Sequence, residues 1–165
     1  MSVNRYHPHV FVLPEDRANS QLANGFIGDE HVSTWKIQVL EEVGGWREVL
    51  SRFKLDHIAS MDRFPQRMMV LLIDFDGRQD RLNFAKNEIP ERLSGRVFIL
   101  GVFTEPEDLK TKLGSYEEIG LALAKDCREE TDTTWGHELL RHNAGELERL
   151  REHVRPILFS GAVSQ

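Results

Sequence analysis

The feature that most constrains the fold is an apolar run that ends abruptly in acidic residues, over residues 68–77 (MMVLLIDFDG). Six successive apolar residues before a turn are typical of a strand buried on both faces, as strands of parallel sheets are. Asp74 and Asp76 follow, and Gly77 ends the segment. Because ligands bind at the carboxyl ends of strands in open α/β sheets, this segment predicts a strand that delivers two carboxylates to a site.

Three other β-rich segments occur in the chain, with helical segments between them. Strands are predicted over 9–13, 35–43, 68–73 and 96–103, and helices over 15–26, 46–63 and 78–86. Strands that alternate with helices form parallel sheets through crossover connections. We therefore predict an α/β fold, a mostly parallel sheet of about four strands flanked by helices in three Rossmann-like layers.

The remainder of the chain is predicted to be helical. Ser115 and Glu118 have the S-x-x-E spacing of a capping box, and apolar residues over 140–157 mark a last amphipathic helix. This apolar stripe would either pack on the sheet or form the seam of a homodimer.

Length and composition exclude several classes of protein. A length of 165 residues suits one domain, with an α/β core over 9–105 and a helical extension over 106–165. No apolar run approaches the ~18 residues that span a bilayer. Residues 1–9 lack the parts of a signal peptide, and Cys127 is the only cysteine, so we expect a cytoplasmic protein. The net charge of −6 argues against a general nucleic-acid coat, but not against a metal-dependent nucleic-acid enzyme.

Three carboxylates follow predicted strands whose carboxyl ends meet at one edge of the sheet. Glu15 follows the first strand, and Asp74 and Asp76 follow the third. Such a cluster either raises its own pKa values by mutual repulsion or binds a cation. Carboxylate oxygens suit a hard cation such as Mg²⁺ or Mn²⁺, which can activate water or stabilise charge on a phosphate.

The order of these motifs resembles the Toprim domain, which occurs in topoisomerases, bacterial primases and small nucleases, including those of the overcoming-lysogenization-defect type. The resemblance covers residues 9–105 and rests on VFVLPE over 10–15, VGG over 43–45 and LIDFDG over 72–77. The acidic tail FTEPE after the last strand is similar to stand-alone bacterial Toprim-like proteins. One position departs from the pattern: Toprim glutamates are usually followed by glycine, whereas Asp16 follows Glu15 here.

The resemblance implies a Mg²⁺- or Mn²⁺-dependent phosphotransfer enzyme that cleaves nucleic acid, either DNA or RNA. Asp74 and Asp76 would hold the metal, and Glu15 would be a metal ligand or the general acid/base. Glu105 or Glu107 could add a ligand for a second metal.

Phosphate contacts are predicted next to these carboxylates. Gly44 and Gly45 precede a helix whose first amides could face a phosphate, although glycines equally permit a tight turn. Arg78, with Arg81 and Lys86 after it, could steer a phosphate, although a solvated helix face is the more ordinary explanation.

Two other functions are compatible with the same residues. A non-catalytic Toprim-like subunit of a defence or mobile-element system would use the carboxylates to bind a structural cation or an operon-encoded protein partner. The acidic charge and the lack of a basic track favour this hypothesis. A haloacid-dehalogenase-like phosphatase would use Asp74 as nucleophile and Asp76 as acid/base. However, Arg78 replaces the threonine of that D-x-D-G-T signature, and two strands precede the motif.

Overall fold

The protein is described by a computed structural model that covers residues 3–159. Its centre is a four-stranded sheet in the order β2-β1-β3-β4, in which all neighbouring strands run parallel. The strands are β1 (His9–Pro14), β2 (Ile37–Val39), β3 (Arg67–Leu72) and β4 (Val97–Leu100). The predicted α/β class, with a parallel sheet of about four strands between helices, is confirmed.

Helices occupy most of the chain between and after the strands. They are α1 (Arg17–Ile27), α2 (Trp46–Arg52), α3 (Ile58–Arg63), α4 (Asp80–Asn87), α5 (Pro106–Leu113), α6 (Tyr116–Glu129), α7 (Ala144–His153) and α8 (Arg155–Leu158). A π-helical segment over Phe53–His57 joins α2 to α3, so the helix predicted over 46–63 is continuous. None of the helices in the described part of the chain combines the length and the apolar character needed to cross a bilayer.

The sheet is the middle of three layers because helices cover both of its faces, and its strand residues are buried or half-buried. Successive side chains of a strand point to opposite sides. In β1, Val10 and Val12 belong to one apolar cluster with residues of α1, α6 and α7. Phe11 and Leu13 belong to a second cluster with residues of α2, α3 and α4. The apolar runs read from the sequence are therefore the strands of a doubly covered sheet.

Two strands are shorter than the sequence predicts. The prediction of a strand over 35–43 is wrong at both ends, because Trp35 lies in a 3₁₀ turn and the regular strand stops at Val39. The strand predicted over 96–103 stops at Leu100. The segments that follow β3 and β4 nevertheless stay hydrogen-bonded to each other, since the Phe75 amide donates to the Val102 carbonyl at 3.1 Å. Irregular backbone thus carries the pairing past the ends of β3 and β4.

Two glycines hold the first helix directly against α6. A Cβ on Gly120 would lie 2.1 Å from the Leu22 carbonyl oxygen, and a Cβ on Gly25 would lie 2.4 Å from the Glu117 carbonyl oxygen. Only glycine allows two helix backbones to approach this closely. This contact fixes α1, whose first turn borders the carboxyl end of β1.

The C-terminal helices close the sheet at its β4 edge. Edge strands present unpaired backbone groups, which other parts of a protein commonly cover. Glu146 accepts a hydrogen bond from the Ile99 amide at 2.9 Å. Asn143 accepts from the Gly101 amide at 3.2 Å and donates to the Gly101 carbonyl at 3.0 Å. The apolar stripe predicted over 140–157 lies in the core beside this edge, divided between a 3₁₀ turn, α7 and α8.

Candidate metal centre at the sheet edge

The two central strands end side by side, and each is followed by a carboxylate. Pro14 is the register partner of Leu72, so Glu15 and the start of the acidic loop leave the sheet at the same level. The Glu15 amide donates to the Leu72 carbonyl at 2.9 Å. In return, the Asp74 amide donates to Oε1 of Glu15 at 2.7 Å. Parallel pairing therefore places these two residues together, as the sequence predicted.

A third carboxylate joins them, and it belongs to Asp16. One carboxylate oxygen from each of Glu15, Asp16 and Asp74 can be chosen so that all three lie within 4.8 Å of one another. We call these residues the acidic cluster. Asp16 is also the N-cap of α1, where its side chain accepts from the Asn19 amide at 3.0 Å. Helix capping thus sets the direction of this side chain.

Asn19 connects the two aspartates of the acidic cluster. Its Nδ2 donates to Oδ1 of Asp16 at 3.0 Å and to Oδ1 of Asp74 at 2.9 Å. The Asn19 side chain is 1 % exposed, so this bridge is shielded from water. One neutral amide therefore holds two carboxylates in position without neutralising either charge.

The acidic cluster is costly to ionise. Burial, with smaller contributions from the nearby carboxylates of Glu15, Asp16 and Asp76, raises the pKa of Asp74 to about 7 against the opposing hydrogen bond from Asn19. Burial likewise raises the pKa of Glu15 to about 7, with smaller contributions from Asp16 and Asp76. Around neutral pH these two groups therefore exchange protons readily, which is unusual for carboxylates and common at functional sites.

Other buried acids in the chain are compensated in a way that Asp74 is not. Asp126 accepts from the Thr131 hydroxyl and from the Thr134 and Trp135 amides. Glu146 lies 2.7 Å from the Lys86 ammonium and 2.9 Å from the Arg149 guanidinium.

By contrast, the Arg81 guanidinium donates to the backbone carbonyl of Asp74 and not to the Asp74 carboxylate. Within residues 3–159 the buried Asp74 carboxylate thus has no ion-pair partner, and a buried carboxylate without a cation indicates a functional role more than a structural one.

Asp76 occupies the turn beyond the cluster and is engaged elsewhere. Its backbone is left-handed, with φ of 50°, and Gly77 follows with φ of 72°. Its carboxylate, 52 % exposed, forms an ion pair with Arg81 at 2.6 Å. Arg81 itself is 7 % exposed and also donates to the Asp74 carbonyl at 2.7 Å. The solvated helix face expected for Arg81 is therefore wrong, because this side chain holds the acidic loop together.

The predicted second-metal ligands lie apart from the acidic cluster. Glu105 is the N-cap residue of α5 and Glu107 lies in its first turn, and both side chains are exposed. The pKa of Glu105 is raised mainly by Glu107 and Asp108, and less by Asp76 and Asp16. These acids therefore lie on the same side of the molecule as the cluster but contribute no oxygen to it.

The predicted phosphate contacts flank the same edge. The Gly44 amide donates to the Glu15 carbonyl at 2.8 Å, so this amide already has a partner within the chain. Gly45 is the N-cap residue of α2. Arg78 is exposed and pairs with Asp80 at 3.1 Å. An exposed pair of this kind contributes little and leaves the Arg78 guanidinium accessible to an anion.

The chain was compared with protein-family models, with curated proteins and with solved structures. None of them matches it.

Asp16 and Asn19 belong to the site, yet neither was among the predicted site residues. In the sequence, Asp16 is notable only because it stands where a glycine usually follows the Toprim glutamate. The useful signal was capping, since an aspartate directly before a helix commonly turns its side chain back to the third helical amide. Asn19 lies four residues before Ala23, on the buried face of α1. A polar residue on an apolar helix face is a signal for a partner, here the two aspartates.

What the acidic cluster can do chemically follows from its ligand atoms. Three carboxylates provide only oxygen donors, which suit a hard divalent cation. A cation there would offset the repulsion that raises the pKa values of Glu15 and Asp74. The cluster could therefore hold a metal ion.

Proposed function

We propose that the protein is a Mg²⁺- or Mn²⁺-dependent phosphotransfer enzyme of the Toprim type that cleaves nucleic acid. The observation that carries the proposal is the meeting of Glu15, Asp16 and Asp74 within 4.8 Å, at the carboxyl ends of adjacent parallel strands. The motif order over residues 9–105 supports the same family. The buried Asp74 carboxylate has no ion-pair partner in the described part of the chain, which supports a role in binding a metal.

Each residue of the acidic cluster has a distinct role in this proposal. Asp74 and Asp16 hold the metal, oriented by their shared hydrogen bonds to Asn19. The metal would stabilise the charge that develops on the phosphate. Glu15, whose pKa is raised to about 7, can accept a proton from the attacking group and return it near neutral pH. Mg²⁺ commonly takes one or two protein carboxylates and fills its other positions with water and phosphate oxygens, so three acids suffice.

Asp76 enters the proposal as an additional metal ligand that Arg81 restrains. Its carboxylate is half exposed and faces Arg81, so a side-chain rotation could release it towards a metal. When Asp76 leaves, Arg81 keeps its bond to the Asp74 carbonyl and its position over the Trp46 ring, 4.1 Å from the centroid. Arg81 would then present a free guanidinium near the substrate phosphate.

The Arg81–Asp76 ion pair also favours a second candidate function, a non-catalytic binding subunit. In that case the pair is permanent, and the acidic cluster holds a structural cation or faces a protein partner. The phosphatase hypothesis is less well supported, since Arg78 stands in place of the threonine of the D-x-D-G-T signature and two strands precede the motif.

Metal removal tests the proposal directly. Purified protein should nick supercoiled plasmid or cleave single-stranded DNA or RNA in Mn²⁺ or Mg²⁺, and EDTA should abolish the cleavage. Ca²⁺ should bind without supporting comparable turnover, because its larger and more flexible coordination shell positions the reacting groups poorly. Tight Mn²⁺ binding by calorimetry without cleavage of any of these substrates would favour the binding subunit. Cleavage that continues undiminished in EDTA would refute the proposal.

Metal affinity should depend steeply on pH between 5 and 8. A metal binds the deprotonated ligands, and the pKa values of both Glu15 and Asp74 are raised to about 7. Below that value each bound Mn²⁺ must displace protons, so affinity should rise by roughly tenfold per pH unit for each proton released, and level off above about pH 8. Calorimetry in two buffers of different ionisation enthalpy measures the proton count. An affinity independent of pH over this range would contradict the placement of the metal on Asp74 beside Glu15.

A further inference from the structure

A cationic and aromatic surface lies between α2 and α4, next to the acidic cluster. The rings of Trp46 and Phe84 meet edge to face, with centroids 5.5 Å apart. The Arg47 guanidinium lies 4.8 Å from the Trp46 centroid and 5.7 Å from that of Phe84. Phe84 is 45 % exposed and Leu55 is 78 % exposed. Large apolar side chains on a surface commonly mark a binding site when polar groups surround them.

These side chains border a cleft of about 300 Å³, which we call the α2–α4 cleft. It is lined by two cations, one acid and four other residues: Arg47, Lys54, Glu88, Leu50, Ser51, Leu55 and Phe84. The Lys54 ammonium is 44 % exposed and pairs with Glu88 at 2.6 Å. Such an exposed pair is weak, so Lys54 can exchange this partner for a phosphate.

Two side chains, Trp46 and Arg81, connect the α2–α4 cleft to the acidic cluster. Arg81 stacks on Trp46 at 4.1 Å and donates to the Asp74 carbonyl at 2.7 Å. Trp46 in turn contacts Phe84 at the cleft. A strand bound in the cleft would therefore lie two side chains, Trp46 and Arg81, from the backbone of Asp74.

We propose that the α2–α4 cleft binds an unpaired nucleobase of a single-stranded nucleic acid, with the base stacked on Phe84 and the backbone phosphate on Arg47 and Lys54. This inference rests on the proposed function, whose substrate class it names. A flat apolar ring beside two cations is the combination that binds single strands, because every base has a stacking face and every nucleotide carries a negative phosphate.

The shape of the cleft favours a single strand over a duplex. In a duplex the base faces are already stacked on one another, so a base reaches a concave apolar cleft only after it has left the helix. Ser51 lines the cleft, and a serine hydroxyl can donate to or accept from the edge of a base. The short, discontinuous cationic surface also matches a protein of net charge −6 that binds locally and does not coat nucleic acid.

The test measures stacking in the absence of cleavage. A short oligo-dT carrying one 2-aminopurine, and the corresponding RNA, are titrated with the full chain in EDTA at low ionic strength. Stacking of the fluorescent base on Phe84 should quench its emission, and the sugar preference will show whether DNA or RNA is favoured. Phe84→Ala should weaken binding about tenfold and remove most of the quenching. Phe84→Trp should retain both.

Leu121→Ala is the matched control, because Leu121 is 46 % exposed on α6, away from the cleft, and should leave binding unchanged. Absence of quenching, equal binding by Phe84→Ala, equal quenching in a duplex, or equally effective competition by a mononucleotide would each overturn the inference. Binding measured in EDTA separates this result from the proposed function. Intact stacking without metal-dependent cleavage would refute only the nuclease proposal, and cleavage of plasmid without single-strand stacking would refute only the cleft.

Discussion

Replacing Asp74 by asparagine should lower metal-dependent cleavage by at least roughly a hundredfold, and at the same time make the metal-free protein more stable at pH 8. The loss of cleavage follows because the substitution removes a charged ligand from the acidic cluster. The gain in stability follows because Asp74 is 7 % exposed and its carboxylate lies against Glu15 and Asp16 without a cation. Few substitutions at a buried residue are expected to stabilise a protein, so the combination is diagnostic.

The pH dependence of that gain has a definite sign. In the unfolded chain Asp74 ionises near pH 4, whereas in the folded protein burial raises its pKa to about 7. Between these values the folded state binds more protons, so the free energy of unfolding of the wild type falls as pH rises. Asparagine does not titrate. The stability difference between Asp74→Asn and wild type should therefore grow between pH 5 and pH 8, by on the order of 2 kcal/mol.

Urea unfolding in EDTA at both pH values measures this difference, and plasmid nicking in Mn²⁺ measures the loss of activity. Asp56→Asn provides the control, because it removes one negative charge from a 55 % exposed side chain outside the acidic cluster. Asp56→Asn should change the free energy of unfolding by less than about 0.5 kcal/mol and should leave plasmid nicking unchanged. Equal cleavage by wild type and Asp74→Asn would refute the proposed function. A variant less stable than wild type at pH 8 would show that the Asp74 carboxylate is a structural group.

The convergence of Glu15 and Asp74 could be predicted from the sequence, since it requires only that two strands be parallel neighbours. The identity of the third carboxylate could not. Residues two apart on a strand point to the same face, which made Asp76 the expected partner of Asp74. The backbone turns left-handed at Asp76, with φ of 50°, so the alternation of a strand ends there and the side chain meets Arg81 instead. Asp16 replaces Asp76 as the third carboxylate of the acidic cluster, because its side chain is positioned by capping α1.

The burial of Glu146 in the C-terminal helix α7 could also not be predicted from local sequence patterns. Periodicity places Leu147 and Leu150 on an apolar helix face, and both are indeed buried. The same periodicity gives no reason to expect that Glu146, next to Leu147 in the sequence, is also buried. That placement depends on the Ile99 amide, which is 47 residues away along the chain. Contacts of this range follow from topology and packing, neither of which a window of neighbouring residues contains.

Glu146→Ala should destabilise the protein by about 3–5 kcal/mol, the opposite sign to Asp74→Asn, because this buried carboxylate is fully compensated. It accepts from the Ile99 amide at 2.9 Å and lies within 3.0 Å of both Lys86 and Arg149. Truncation would leave an edge amide of β4 without its partner and two cations without their counter-charge.

Thermal and urea unfolding measure this loss, which should appear as a fall in Tm of about 10 °C. Glu148→Ala is the matched control, since Glu148 is exposed on the same helix and should change stability by less than about 0.5 kcal/mol. A loss below about 1 kcal/mol for Glu146→Ala would mean that Lys86 and Arg149 do not compensate the buried charge as the contacts imply. If Glu146→Ala lowers the free energy of unfolding and Asp74→Asn raises it, Glu146 is a structural acid, whereas Asp74 has the property expected of a metal ligand.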